Sequence, residues 1–220
     1  MSERIVYPHI PHGPEGLVVE RFGAKDISEL LALAPAIVDL AARSYTRQLE
    51  APNGPLEPGM VQREYTVAAK QEAQEGRIKR ILGAGGAYYI VRSPEDPATL
   101  DGLANFKPMA DTDGWYDYVT EHSYITDVLA DPPQKGIGSA ALHATLADNP
   151  GYRYEAVHLD GFTGSSVNTW YEKIGFEDGG ASNGWELAGT AVPTTRYTAA
   201  PVSYVLAQLE AAHPGLATRS

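Results

Sequence analysis

The chain has 220 residues, a formal net charge of −11 from 17 Lys and Arg against 28 Asp and Glu, and a hydrophobic fraction of 43%. These values fit one globular domain with a sizeable core, exclude wholesale disorder, and leave no apolar run near the ~18 residues that a membrane span needs. The acidic surplus argues against a non-specific grip on nucleic acid or anionic lipid. The absence of cysteine excludes disulfides, thiolate metal sites and a cysteine nucleophile, as suits a reducing cytoplasm.

Residues 1–15 are rich in Pro, His and Gly and read as an irregular N-terminal arm without the basic-then-apolar pattern of a signal peptide. His9 and His12 in it have no paired carboxylate nearby in sequence to complete a metal site, so no metal is expected. Residues 16–22 (GLVVERF) alternate like a first strand. Asp26 and Glu29 have the layout of a capping box before a helix whose apolar face runs through Ile27, Leu30, Leu31, Ile37, Val38 and Ala41, broken or kinked near Pro35. Residues 51–59 are punctuated like a loop, and residues 60–75 predict an exposed helix closed by Gly76.

Residues 87–91 (AYYIV) and Leu100–Met109 then read as a hairpin, with a further strand over residues 118–130. Gly136-Ile137-Gly138 opens a helix through Ala147, which Asn149-Pro150-Gly151 stops. A strand over 155–159, a helix over 165–174 closed by Gly175, a short strand at Trp185–Leu187 and a terminal helix over 201–212 complete the reading. The order predicts a single mixed α/β domain over residues 16–200, with residues 201–220 as a C-terminal helix and tail.

The segment that carries chemistry is the strand, glycine turn and helix around residue 136. Glycines there permit positive φ and close approach, so successive backbone N–H groups can converge on a phosphate at the positive end of the helix, with Lys135 adding charge. The same residues also suit a tight turn that binds nothing. No phosphate loop of the G-x-x-x-x-G-K-[ST] type is present. Gly136-x-Gly138-x-x-Ala141, with Asp160 downstream, fits a dinucleotide fingerprint and so a dinucleotide-binding oxidoreductase. Against it, Pro132-Pro133 separates the strand from the first glycine, and only 60 residues follow Asp160, too few for the further βα units of a doubly wound domain.

A third reading absorbs more residues. Residues 124–142 (YITDVLADPPQKGIGSAAL) resemble the acetyl-CoA-binding motif of the GNAT superfamily of N-acetyltransferases, and residues 170–176 (WYEKIGF) resemble its second motif. The two stand in the family's order and spacing, and the resemblance covers most of residues 16–190. Pro133 and Gly164 depart from the pattern, at positions where the family often has Gln or Arg and Asn; these changes remove side-chain contacts but leave the backbone cradle.

The resemblance implies a splayed central sheet flanked by helices and a direct transfer from acetyl-CoA, as cosubstrate, to a primary amine. A non-catalytic CoA-binding module of the same fold is the alternative. The cofactor would be held by the backbone of Thr126, Asp127 and Val128 and by Gln134, Lys135, Gly136, Ile137, Gly138 and Ser139. Tyr171 would be the general acid that protonates the departing thiolate, or else a packing residue beside Phe176. Glu121, His122 and Asp160 are candidates for the base; by strand parity Glu121 and His122 face opposite sides unless a bulge intervenes. Asp113, Trp115 and Tyr116, in an acidic and aromatic stretch, are candidates to hold a cationic acceptor, or else cap the core. The expected partners are a small-molecule or peptide amine and no nucleic acid or membrane, for a monomer or homodimer.

Overall fold

The computed structural model describes residues 3–10, 13–50, 54–65, 68–109, 122–133, 135–148, 157–163, 165–182, 185–187, 189–199 and 202–218. Ten strands and seven α-helices are described: β1 (Glu3–Tyr7), β2 (Leu17–Phe22), α1 (Ile27–Ala32), α2 (Ala34–Leu49), α3 (Met60–Tyr65), α4 (Ala68–Gly83), β3 (Ala87–Arg92), β4 (Leu100–Met109), β5 (His122–Ala130), α5 (Ile137–Ala147), β6 (Val157–Phe162), α6 (Ser166–Lys173), β7 (Phe176–Ala181), β8 (Trp185–Leu187), β9 (Thr190–Val192), β10 (Thr194–Ala199) and α7 (Val202–Ala212). Among the described residues, no helix is long and apolar enough to cross a membrane.

Eight strands form one sheet in the order β1-β2-β3-β4-β5-β6-β10-β7, and β8 and β9 form a separate hairpin. All neighbours in the large sheet run antiparallel except β5 and β6, which are parallel and joined through α5. An antiparallel sheet with one parallel crossover is not the doubly wound parallel sheet that the dinucleotide reading requires.

The sheet is covered on both faces, which is why Ala87 to Val91 of β3 are all buried and read as a continuous apolar run. On one face Tyr7, Val19, Tyr89, Phe106 and Ile125 pack with α5, α7 and the aromatic rings of Tyr171 and Phe176. On the other, Phe22, Tyr88, Ile90, Leu103 and Leu129 meet Leu30, Ile37, Leu40, Ile78 and Ile81 of α1, α2 and α4. A third cluster joins α2 and α3 to the β8–β9 hairpin through Leu49, Val61, Leu187 and Val192.

Two sequence expectations change. The arm expected to be irregular over residues 1–15 contributes β1, paired with β2 so that Glu3 faces Arg21 and Arg4 faces Glu20. Gly76 does not close a helix: α4 continues to Gly83, because Ile78, Ile81 and Leu82 are buried against the sheet and outweigh the low helix propensity of one exposed-face glycine. The break expected near Pro35 is present: α1 ends at Ala32, and Pro35 lies in the first turn of α2, where its missing N–H leaves no hydrogen bond unmade.

Candidate active site

The pairing of β5 with β6 covers only three residues, from Ser123 opposite Val157 to Ile125 opposite Leu159. Beyond them β5 continues beside β4 to Ala130, while β6 continues beside β10 to Phe162. The two strands thus part in the middle of the sheet and leave a fork whose β5 edge, beyond Ile125, has no strand partner among the described residues. A bulge stands at the branch point: Asn105 of β4 faces Asp127 and Phe106 faces Ile125, so Thr126 is the extra residue. The bulge reverses the side-chain alternation, and Ile125 enters the α5 side of the core while Leu129 enters the α2/α4 side.

The glycine turn lies at the open end of β5. Gly136 is the N-cap of α5 with φ 69°, in the left-handed region, and a Cβ on it would lie 2.5 Å from Ile10 Cγ2. Both the backbone conformation and the space therefore require glycine. Ile137 is anchored in the core, Ser139 is buried, and Lys135 is exposed beside the turn. The first intrahelical bond of α5 runs from the Ala140 N–H to the Gly136 carbonyl, which leaves the N–H groups of Ile137, Gly138 and Ser139 without an acceptor inside the helix. Together with the helix dipole these N–H groups make the mouth of the fork the positive end of α5. Gln134 lies outside the described residues.

Tyr171 reaches the fork from α6. Its ring packs against Trp170, Phe176 and Tyr197 at centroid distances of 5.1, 5.8 and 5.5 Å. It lies over Gly161 of β6, where a Cβ would come within 3.2 Å of Tyr171 Cε2, so the absent side chain makes room for the phenol next to the point where β5 and β6 part. Among the described residues its hydroxyl has no hydrogen-bond partner. Burial, and then the charge of Asp127, push its pKa well above the ordinary phenol value.

The carboxylate of Asp127 is the centre of a polar group that sequence reasoning missed, because the motif resemblance gives Asp127 only a backbone role. It is 5% exposed and accepts hydrogen bonds from Asn105 Nδ2 at 2.7 Å and from the Tyr45 hydroxyl at 3.3 Å. Arg77 Nη2 lies 3.0 Å from its Oδ2 and also donates to the Thr126 carbonyl at 3.0 Å, so that carbonyl is already occupied. Thr126 Oγ1 donates to Asn105 Oδ1. Burial works against the Arg77 charge, but Asp127 and the neighbouring tyrosines outweigh it and hold its pKa above the ordinary value. The signal that points to it is the one acid in β5, standing between Ile125 and the apolar Val128-Leu129, a residue type that is rarely buried without a partner. Beside it, the Tyr45 ring meets Tyr65, Phe162 and Trp185 edge to face at 5.8, 5.3 and 5.4 Å, a half-buried aromatic group on the helical side of the fork.

The fork therefore brings together Thr126, Asp127, Val128, Lys135, Gly136, Ile137, Gly138, Ser139 and Tyr171. His122 begins β5 opposite Met109, and Asp160 lies in β6 opposite Arg196; for both, only the backbone is described. Asp113, Trp115, Tyr116 and Glu121 lie outside the described residues.

No protein-family model matches the sequence, and no curated protein does either. Solved structures do share its fold. An N-acetyltransferase from Staphylococcus aureus, 12% identical, matches 84% of this chain and 97% of that one with a TM-score of 0.54. The ribosomal alpha-N-protein acetyltransferase RimL in complex with coenzyme A, 16% identical, matches 89% and 99% with a TM-score of 0.53. An acetyltransferase of the GNAT family from Streptococcus pneumoniae, 14% identical, matches 84% and 99% with a TM-score of 0.51.

Proposed function

We propose that this chain, which has the fold of the GNAT acetyltransferases, is an acetyl-CoA-dependent N-acetyltransferase that passes the acetyl group to a primary amine by direct attack. The observation that carries the reading is the coincidence at one fork of a free β5 edge, a left-handed glycine turn opening α5, and the phenol of Tyr171. The residues fit coenzyme A by their own chemistry: an open strand edge pairs with an amide-bearing arm, and helix N–H groups with a flanking lysine suit a diphosphate.

In this reading the free edge of β5 at Val128 holds the pantetheine arm. Main-chain donors from Ile137 to Ser139, with Gln134 and Lys135 beside them, hold the diphosphate. The amine attacks the thioester carbonyl, the C–S bond breaks as the amide forms, and Tyr171 gives its proton to the leaving thiolate. The raised pKa of Tyr171 supports this role, because the phenol stays protonated at neutral pH. His122, Glu121 and Asp160 are the candidates for taking the ammonium proton. The acceptor is a small-molecule or peptide amine, entering from the helical side, where the rings around Tyr45 offer π faces to a cation; Asp113, Trp115 and Tyr116 remain the candidates from the sequence to hold it. A cytoplasmic protein, monomeric or homodimeric, with no metal and no nucleic-acid or membrane partner completes the reading.

The test is an acetyl-CoA-dependent screen of an amine panel, read as free thiol released, beside thermal shift with acetyl-CoA and with NADH. Thiol release with at least one amine and protection by acetyl-CoA alone are expected. Protection without turnover would leave a CoA-binding module, and no protection by acetyl-CoA would overturn the reading.

A further inference from the structure

The half of β5 that has lost β6 as a neighbour is held at both ends by arginines from the helical face. At the branch point Arg77 of α4 bridges the Thr126 carbonyl and the Asp127 carboxylate, each at 3.0 Å. Asn105 and Tyr45 complete the shell of that carboxylate from β4 and α2. At the far end Arg43 and Arg47 of α2 both pair with Asp131, which is 7% exposed. Arg43 Nη2 also donates to the Leu100 carbonyl at 2.7 Å, and the Asp131 N–H donates to the Asp101 carbonyl at 2.8 Å. Between these anchors lie Val128, Leu129 and Ala130, the stretch whose outer edge is free.

Buried ion pairs are a poor source of net stability, since desolvation offsets most of their attraction. What they do supply is direction: an arginine that grips a backbone carbonyl and the next side chain fixes the local dihedral angles of a bulge. We propose that Arg77 with Asp127, and Arg43 with Asp131, are positioning clamps that set the twist and register of the free β5 edge so that the pantetheine arm of coenzyme A can pair with it. Arg77 touches no reacting atom and acts through the Thr126–Asp127 bulge. The inference rests on the acetyltransferase reading and adds Arg77 and Arg43, which neither motif contains.

The test compares wild type with Arg77→Met and Arg77→Lys by calorimetric titration with coenzyme A, by steady-state kinetics, and by amide hydrogen exchange of the unliganded protein. Arg77→Met is expected to weaken coenzyme A binding and raise the acetyl-CoA KM by about tenfold, with kcat at saturation changed by less than about threefold. Exchange should accelerate at residues 126–129 and stay unchanged in β2 and β3. Arg77→Lys, which keeps the charge but not the two-point grip, should fall between the two. Should Arg77→Met fail to fold, Asp127→Asn is the second variant; it keeps an acceptor oxygen and removes the charge, with a loss of affinity of a few-fold expected. A folded Arg77→Met protein with wild-type affinity and exchange overturns the clamp and leaves the acetyltransferase reading intact. A wild type that binds no coenzyme A overturns that reading itself, and the purpose assigned to the clamps with it.

Discussion

A phenol makes a useful acid only where its proton is available at the moment a leaving group needs it and is otherwise retained. Tyr171 meets both conditions: burial among Trp170, Phe176 and Tyr197 disfavours the phenolate, the nearby Asp127 carboxylate disfavours it further, and no described neighbour occupies the hydroxyl. Tyr171→Phe removes one oxygen from a site otherwise filled by the same ring, so the fold and coenzyme A affinity should be kept. Turnover should fall by about a hundredfold, the ordinary worth of a positioned proton donor, with the acetyl-CoA KM unchanged. Full turnover in this variant would assign Tyr171 to packing. Because its pKa is raised, the wild-type rate should show no alkaline loss from this group until above about pH 10.

Among the elements, the turn into α5 is the one whose sequence dictates its shape. Gly136 needs a positive φ and has Ile10 against it, so Gly136→Ala adds both backbone strain and a close contact. A loss of about 1–2 kcal/mol of stability is expected from the left-handed conformation alone, together with weaker coenzyme A binding, measured by denaturant unfolding and titration of the same samples. Wild-type values for both would mean that the turn relaxes freely and does not shape an anion site. The turn is legible in the sequence for the same physical reason: a requirement for glycine is local and is written in residue type. So too are the β3–β4 hairpin, bounded by its Pro-rich turn, and α6. The clamps are not legible, because Arg77 and Asp127 are 50 positions apart (127 − 77) and meet only through the register of α4 on β5. The order of the last strands is hidden in the same way. β10 inserts between β6 and β7, an outcome of long-range pairing that no local pattern specifies.

At the scale of the molecule, four tyrosines, Tyr45, Tyr65, Tyr88 and Tyr171, surround Asp127, and burial first and then that carboxylate raise the pKa of each. In the unfolded chain they titrate near 10; in the folded protein they keep their protons above that value. The unfolded state therefore binds fewer protons once the pH passes about 10, and stability falls as pH rises further, by about 1.4 kcal/mol per pH unit for each phenol retained. Urea midpoints should be level from pH 8 to about 9.5 and then drop, and Tyr65→Phe should make the drop shallower. An unchanged slope in that variant would remove the phenols as its cause.

The Tyr7 hydroxyl meets His143 Nδ1 at 2.9 Å, and His143 Nε2 meets Glu210 Oε1 at 3.1 Å, so β1, α5 and α7 are tied at one buried imidazole. The first of those links joins residues 136 positions apart and the second residues 67 apart. A ribosome delivers β1 long before its partner in α7, so that edge of the domain is completed only after α7 has left the exit tunnel. Loop-closure entropy weighs on that docking step, so protection of the Tyr7–His143–Glu210 corner is expected to form late in folding.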